Sequence, residues 1–198
     1  MPRTPEQNKE IREKTRGQIL DSALKLFATK GYHGTSVADI AKQAGVSKGL
    51  AYNYFESKQA LAEELVNVLL NMGDDVLSQI NNIPDPFEQL HSMIGYTFEY
   101  LKDNPEYWRL YSSFLLQPEI MDLSIDKFRQ FMRINFDVLE NILREMGVKY
   151  PAEEARVVGA LIDGIPLHYF FDPEKYPLEN MLGYLKKRYS REAIEYLK

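Results

Sequence analysis

The chain contains no cysteine, which removes disulfides and thiolate metal sites from consideration. No apolar run approaches the roughly 20 residues that a membrane span requires. The stretch Met1 to Lys14 is polar and charged, without the apolar core of a signal peptide. Strand-like alternation, internal repeats and low-complexity segments are also missing. So are a phosphate-binding glycine loop, a nucleophile elbow and a His-x-Glu deaminase signature. These absences point to a cytoplasmic, membrane-free, all-α protein that is not an enzyme and needs no cofactor or metal.

What is present suits a packed helical chain. Of 198 residues, 44% are hydrophobic and 27% charged, so a core is affordable and disorder is not expected. The net charge of −5 argues at first against nucleic acid, but its distribution reverses that. Residues 1–58 hold ten Lys or Arg against six Asp or Glu, a net +4, while residues 59–198 carry −9. A basic head on an acidic body fits a protein that meets phosphate with one end only. The expected domains are therefore a DNA-binding head, 1–58, and a larger helical body, 59–198.

About nine helices are expected. Thr15 to Lys30 places Ile19, Ala23, Leu26 and Phe27 on one face, and Gly31 stops it. A short helix from Ser36 to Ala44 has a capping box in Ser36 and Asp39, with Thr35 as the other candidate cap. Gly45-Val46 makes a tight turn into a third helix, Ser47 to Tyr54. Ser57 caps a long fourth helix. Further helices are expected over 86–102, 105–116, 123–146, 151–171 and 178–197, punctuated by Pro86, Pro105, Gly147 and Pro151. Pro166 predicts a kink and a freed carbonyl near Ile162.

Three short helices with glycine between the second and third suit a helix-turn-helix. Ala41 lets the two helices approach, Gly45 relieves the turn and Val46 plugs the angle. The third helix, from Ser47 to Phe55, offers small, polar and basic side chains to a major groove. Residues Ile19 to Leu65 closely resemble the N-terminal domain of the tetracycline-repressor (TetR/AcrR) family. The likeness includes Leu26-Phe27, Gly31-Tyr32, Thr35-Ser36-Val37, Ile40-Ala41, Ala44-Gly45-Val46-Ser47, Tyr52, Phe55, Ser57-Lys58 and Leu61. Beyond about residue 66 it rests on helix number and length.

The resemblance implies roles at the matching positions. Thr35 and Ser36 would bind phosphate through hydroxyl and backbone N–H groups. Tyr52, Tyr54 and Lys58 would hold further phosphates. Ser47, Lys48, Gly49 and Leu50 would face base edges, and Phe55 would pack. Leu50 and Asn53 depart from the common pattern. Leu50 is expected on a thymine methyl and Asn53 on DNA. The basic residues Arg3, Lys9, Arg12, Lys14 and Arg16 read either as a minor-groove arm or as a solvated terminus.

The body is rich in aromatics, which with a few polar tips make pockets for small apolar ligands, and equally make core. Tyr96, Tyr100, Trp108, Tyr111, Phe128, Phe131, Asn135 and His168 are the ligand-site candidates, with His91 a further polar anchor. The resemblance implies a homodimer built on the last two helices. Val157, Val158, Leu161, Ile162 and Ile165, with Tyr184 and Leu185 on the final helix, are the interface candidates, although the same pattern fits a helix buried within one chain. The implied function is a ligand-responsive, sequence-specific transcription regulator. It would be a repressor released from a palindromic operator when a small apolar or aromatic effector shifts the fourth helix. A regulator controlled by a protein partner, without a pocket, is the alternative. A helical-bundle enzyme is remote: Glu88 and His91 show a dimetal spacing, but His33 and His168 lack its second copy.

Overall fold

Helix-stopping residues divide this chain almost as they stand in the sequence. The computed structural model describes residues 4–197. Their α-helices run α1 (Pro5–Lys30), α2 (Val37–Gln43), α3 (Lys48–Tyr54), α4 (Lys58–Ile80), α5 (Pro86–Asp103), α6 (Pro105–Leu115), α7 (Pro118–Glu145), α8 (Pro151–Phe171) and α9 (Leu178–Arg188). A 3-10 turn, Ile194–Leu197, follows, and no strand occurs among the described residues. None of these helices is long and apolar enough to cross a membrane.

Three boundaries differ from expectation. α1 starts at Pro5 rather than near Thr15, because Thr4 and Gln7 form a reciprocal capping box and Pro5 takes the first helical position. Lys9, Arg12, Lys14 and Arg16 therefore lie on a helix, not an arm; Arg3 lies outside the described residues. α7 starts at Pro118, five residues before the expected start. α9 ends at Arg188, with Tyr189 as its cap. α8 stays helical through Pro166, which is buried. The ring removes the N–H that would reach the Ile162 carbonyl.

The chain packs as two compact units. One is the chain up to Leu69 together with Tyr107–Ile125; the other is Leu70–Glu106 together with the chain from Asp126 onward. The divisions fall inside α4, α6 and α7. The packing units do not coincide with the 1–58 and 59–198 spans expected from the sequence.

In the first unit Ile19, Ala23, Phe27, Ile40, Ala51, Leu61, Phe114 and Ile120 are fully buried. The rings of Phe27 and Phe114 stack at 5.8 Å, and Tyr32 lies 5.5 Å from Phe27. Burying one such ring contributes about 3 kcal/mol.

In the second unit Ile80, Leu90, Ile94, Leu101, Leu143, Ala155, Val158 and Tyr189 form the core. α5 packs on both α8 and α9. The Tyr189 hydroxyl donates to the Glu154 carboxylate at 2.6 Å, and the Tyr189 carbonyl lies 3.1 Å from His91 Nε2. Burial, and then the Glu154 bond, push the Tyr189 hydroxyl up to about 12. Aromatic rings also rest directly on glycines. Phe131 lies over Gly73, where an added Cβ would meet the ring at 2.5 Å, and Phe136 over Gly159, at 2.9 Å.

Candidate nucleic-acid interface

The interface is built on α2, α3 and the turns that set them. Ser36 opens α2: its Oγ accepts the Asp39 N–H at 3.2 Å, while its own N–H donates to Asp39 Oδ2 at 3.1 Å. Its hydroxyl also donates to Asp39 Oδ2 at 2.5 Å. These bonds, with the hydroxyl first, hold the Asp39 carboxyl below the usual range. α2 closes in a Schellman motif. The Val46 N–H donates to Ala41 O at 3.0 Å and the Gly45 N–H to Lys42 O at 3.3 Å. Gly45 sits at φ +70°, in the left-handed region that a side chain resists.

α3 is held from beneath by Ala51 and Phe55, both buried. Ser47 caps it, its Oγ accepting the Leu50 N–H at 3.1 Å. That leaves the hydroxyl proton of Ser47 available to an outside acceptor. Ser47, Lys48, Gly49, Leu50, Tyr52 and Asn53 are all exposed, Leu50 at 38% and Tyr52 at 44%. The Lys48 ammonium stands 5.9 Å from the Tyr52 ring centroid. Tyr54 is half-buried, with the Arg12 guanidinium 5.9 Å above its ring. Two open clefts lie along this helix. One of about 470 Å³ is lined by His33, Ser36, Tyr52, Ser57 and Lys58 among others. One of about 480 Å³ is lined by Arg16, Tyr52, Asn53, Tyr54 and Glu63 among others.

Thr35 needs correction. It is 2% exposed, and its hydroxyl faces Leu26 O at 3.2 Å and Gly31 O at 2.9 Å. Its N–H donates to Tyr32 O at 3.4 Å. Its donors close the α1–α2 loop, so they are spent before any phosphate arrives; for the same reason it is not the cap of α2. Lys58 is also engaged. Its Nζ donates to Tyr32 O at 2.8 Å and stands 4.3 Å from the Tyr32 ring centroid. An ammonium has three protons, so two remain for other acceptors. Burial, and then the charge of Glu63, raise the Tyr32 hydroxyl above its ordinary value.

The ligand-site candidates fall in both compact units. Trp108 and Tyr111 belong to the first unit; Tyr96, Tyr100, Phe128, Phe131, Asn135 and His168 belong to the second. Tyr111 is buried beside Tyr107, ring centroids 5.4 Å apart. The Tyr100 hydroxyl points at Met72 Sδ, 3.9 Å away, and burial raises it above its ordinary value. The Asn135 amide donates to Phe131 O at 2.9 Å. Phe128 and Phe131 are half-buried, and Tyr96 and His168 are exposed. Trp108 Nε1 is buried without a protein partner. Among the described residues no three His, Cys, Asp or Glu cluster as metal ligands.

The interface candidates on the last two helices divide cleanly. Val158, Ile165 and Leu185 are buried in their own unit. They are used in that core, because the apolar pattern of α8 covers two faces and only one is exposed. Leu161 and Ile162 are half-buried, while Val157 and Tyr184 are exposed. Leu167 and Phe171, which sequence reasoning passed over, share the exposed face of α8, Phe171 at 81%. Gln117 was missed too, because two of its partners, Phe27 on α1 and Tyr32 just after it, lie far away in sequence.

Comparison with known proteins bears on the same region. Residues 19–65 match the model of bacterial regulatory proteins of the tetR family. The helix-turn-helix-type transcriptional regulator YuxN of Bacillus subtilis is 32% identical over 158 residues, 76% of this chain. The chain spans about half of that relative, 52%. The regulator BetI of Escherichia coli K12 is 27% identical over 161 residues, 76% of this chain and 79% of that protein. The transcriptional regulator FadR of Bacillus subtilis, solved in complex with stearoyl-CoA, shares the fold with a TM-score of 0.68. It is 22% identical, over 87% of this chain and 96% of that one. With its all-α fold, its capped α2–turn–α3 module and the match over residues 19–65, the chain carries the N-terminal domain of the tetR family of bacterial regulatory proteins.

Proposed function

We propose that this protein is a homodimeric, cytoplasmic transcription regulator that binds an inverted-repeat operator. The observation that carries the reading is α3. Ala51 and Phe55 fix it to the core, and Ser47, Lys48, Gly49, Leu50, Tyr52 and Asn53 turn outward together. Ser36, Tyr52, Tyr54 and Lys58 would hold phosphates, and Ser47, Lys48, Gly49, Leu50 and Asn53 would read base edges. Two such helices related by a two-fold axis meet successive major grooves of a palindrome. The dimer would use Val157, Leu167, Phe171 and Tyr184, which are exposed and apolar.

The regulator acts as a repressor released by a small apolar effector. The ligand binds better to the dimer shape with low operator affinity and shifts the population toward it. Since FadR of Bacillus subtilis was solved with stearoyl-CoA, long-chain acyl thioesters are the first class to test.

The test is selection of bound genomic fragments at two salt concentrations, followed by titration of acyl thioesters onto the selected site. A palindrome that keeps its affinity at the higher salt, where nonspecific phosphate binding fades, supports the reading. Absence of any enriched sequence overturns it. Equal operator binding with and without every thioester overturns the effector assignment alone.

A further inference from the structure

We infer that Gln117 is a positioning residue: its carboxamide couples the α6–α7 corner to the loop that enters the DNA-binding helices. The inference rests on the DNA-binding reading only for its functional consequence.

α1 ends where Gly31 turns out of the helix, at φ 79° and ψ 161°. One more helical residue would have paired the Tyr32 N–H with Ala28 O. That bond is broken at the turn, and both of its halves are taken up by side chains from the corner. The Ser113 hydroxyl donates to Ala28 O at 3.0 Å. Gln117 Oε1 accepts the Tyr32 N–H at 2.7 Å. Gln117 Nε2 donates to Phe27 O at 2.8 Å and to Ser113 O at 3.2 Å. Both amide protons and the amide oxygen are thus in use. A side chain of the two-residue link between α6 and α7 completes the C-terminus of α1.

The tie continues into the interface. Tyr32 O accepts Lys58 Nζ and the Thr35 N–H, and the Thr35 hydroxyl closes on Gly31 O. The next residue, Ser36, caps α2. His33 pairs with Glu119 of α7 at 3.0 Å, and Phe114 of α6 stacks on Phe27. A displacement of the corner therefore pulls on loop 31–35, and that loop sets where α2 begins. A hydrophobic contact in place of the amide could slide; three directed hydrogen bonds fix both distance and angle.

Gln117→Glu tests this with a signature that mere destabilisation lacks. The carboxylate still accepts from Tyr32 but cannot donate to Phe27 O, whereas the protonated acid does both. Lys58 and Glu63 act on its partner Tyr32, and His33 pairs with Glu119 nearby in sequence, so each variant is read as a ratio to the parent at the same pH. Affinity for the selected operator is measured by fluorescence anisotropy from about pH 8 to about pH 5. Gln117→Glu is expected to bind on the order of tenfold more weakly at the upper end and to narrow that deficit toward the lower, where a carboxyl that ordinarily titrates near about 4.3 begins to protonate. Gln117→Leu is expected to stay weak throughout.

A Glu variant that matches the parent at every pH, or whose deficit ignores pH, overturns the proposal. Exchange protection of the Tyr32 amide in the free protein is read alongside. The Leu variant must lose protection at Tyr32, and unchanged protection overturns the coupling whatever the DNA result. If the parent selects no operator, the DNA-binding reading fails, and the Tyr32 amide still decides for Gln117.

Discussion

Both compact units combine buried rings with directed bonds, but they differ at the contacts that set their helices. In the first, the critical contacts are directed bonds onto backbone: Gln117 on Phe27 and Tyr32, Thr35 on Leu26 and Gly31, Lys58 on Tyr32. In the second, rings of α7 sit in the places where two glycines lack a side chain. Directed bonds define one geometry, whereas a ring on a bare helix face can turn about its own bonds. The unit proposed to meet DNA is thus the one whose loop is tied by directed bonds onto backbone.

The comparison can be broken at its foundation. Phe27→Ala removes a fully buried ring stacked on Phe114 and should cost about 3–5 kcal/mol in urea unfolding. A loss under about 1.5 kcal/mol would show that the first unit does not depend on this core. Two glycine substitutions sharpen the contrast. A Cβ at Gly34 would sit 2.4 Å from the Lys30 carbonyl oxygen, which is backbone. A Cβ at Gly73 would meet the Phe131 ring, which can move. Gly34→Ala should cost about 3 kcal/mol and Gly73→Ala about 1 kcal/mol. Phe131→Leu should recover the second loss and leave the first untouched; equal, unrecoverable losses would erase the distinction.

Smaller effects on the chain itself are expected at the exposed face of α8 and α9. Phe171→Ser and Tyr184→Ser should leave subunit stability within about 0.5 kcal/mol yet weaken self-association by on the order of tenfold or more in sedimentation. Val158→Ala should do the reverse, costing about 2 kcal/mol of stability with association retained. The smallest effect is electrostatic. The Phe87 N–H, and then the Arg191 guanidinium, hold the Asp85 carboxyl below its ordinary 3.8. A depressed carboxyl contributes stability above its ordinary value and loses it as pH falls through the lowered one. Asp85→Asn should therefore flatten the acid end of the pH–stability curve, measured by thermal unfolding between about pH 5 and pH 2. An unchanged slope would remove Asp85 from the acid response.

The sequence was most readable where a single residue type carries the physics. Gly31, Gly45 and Gly147, all at positive φ, marked helix ends correctly, and Pro86, Pro105 and Pro151 marked starts. Reading failed where apolar periodicity was the only guide. The first turns of α1 bury nothing, so no hydrophobic face announced them, although Thr4, Pro5 and Gln7 carried the signal. Periodicity found the apolar strip of α8 but not which side faced inward, hence Val158 and Ile165. The internal duties of Thr35 and Lys58 were not legible, because they depend on how loop 31–35 folds back. The Gln117 bond to Tyr32 spans 85 positions, beyond any local pattern.

Gly49 has a consequence for how such a protein diverges. It lies on the outward side of α3 with nothing within 4 Å of where a Cβ would be, and its φ is not in the left-handed region. Any side chain can be added there without disturbing the scaffold, and most would strengthen the helix. Whatever keeps the position bare must come from outside the folded chain. If α3 meets DNA as proposed, a substitution at Gly49 would change the surface offered to the target while the architecture that presents it stays the same.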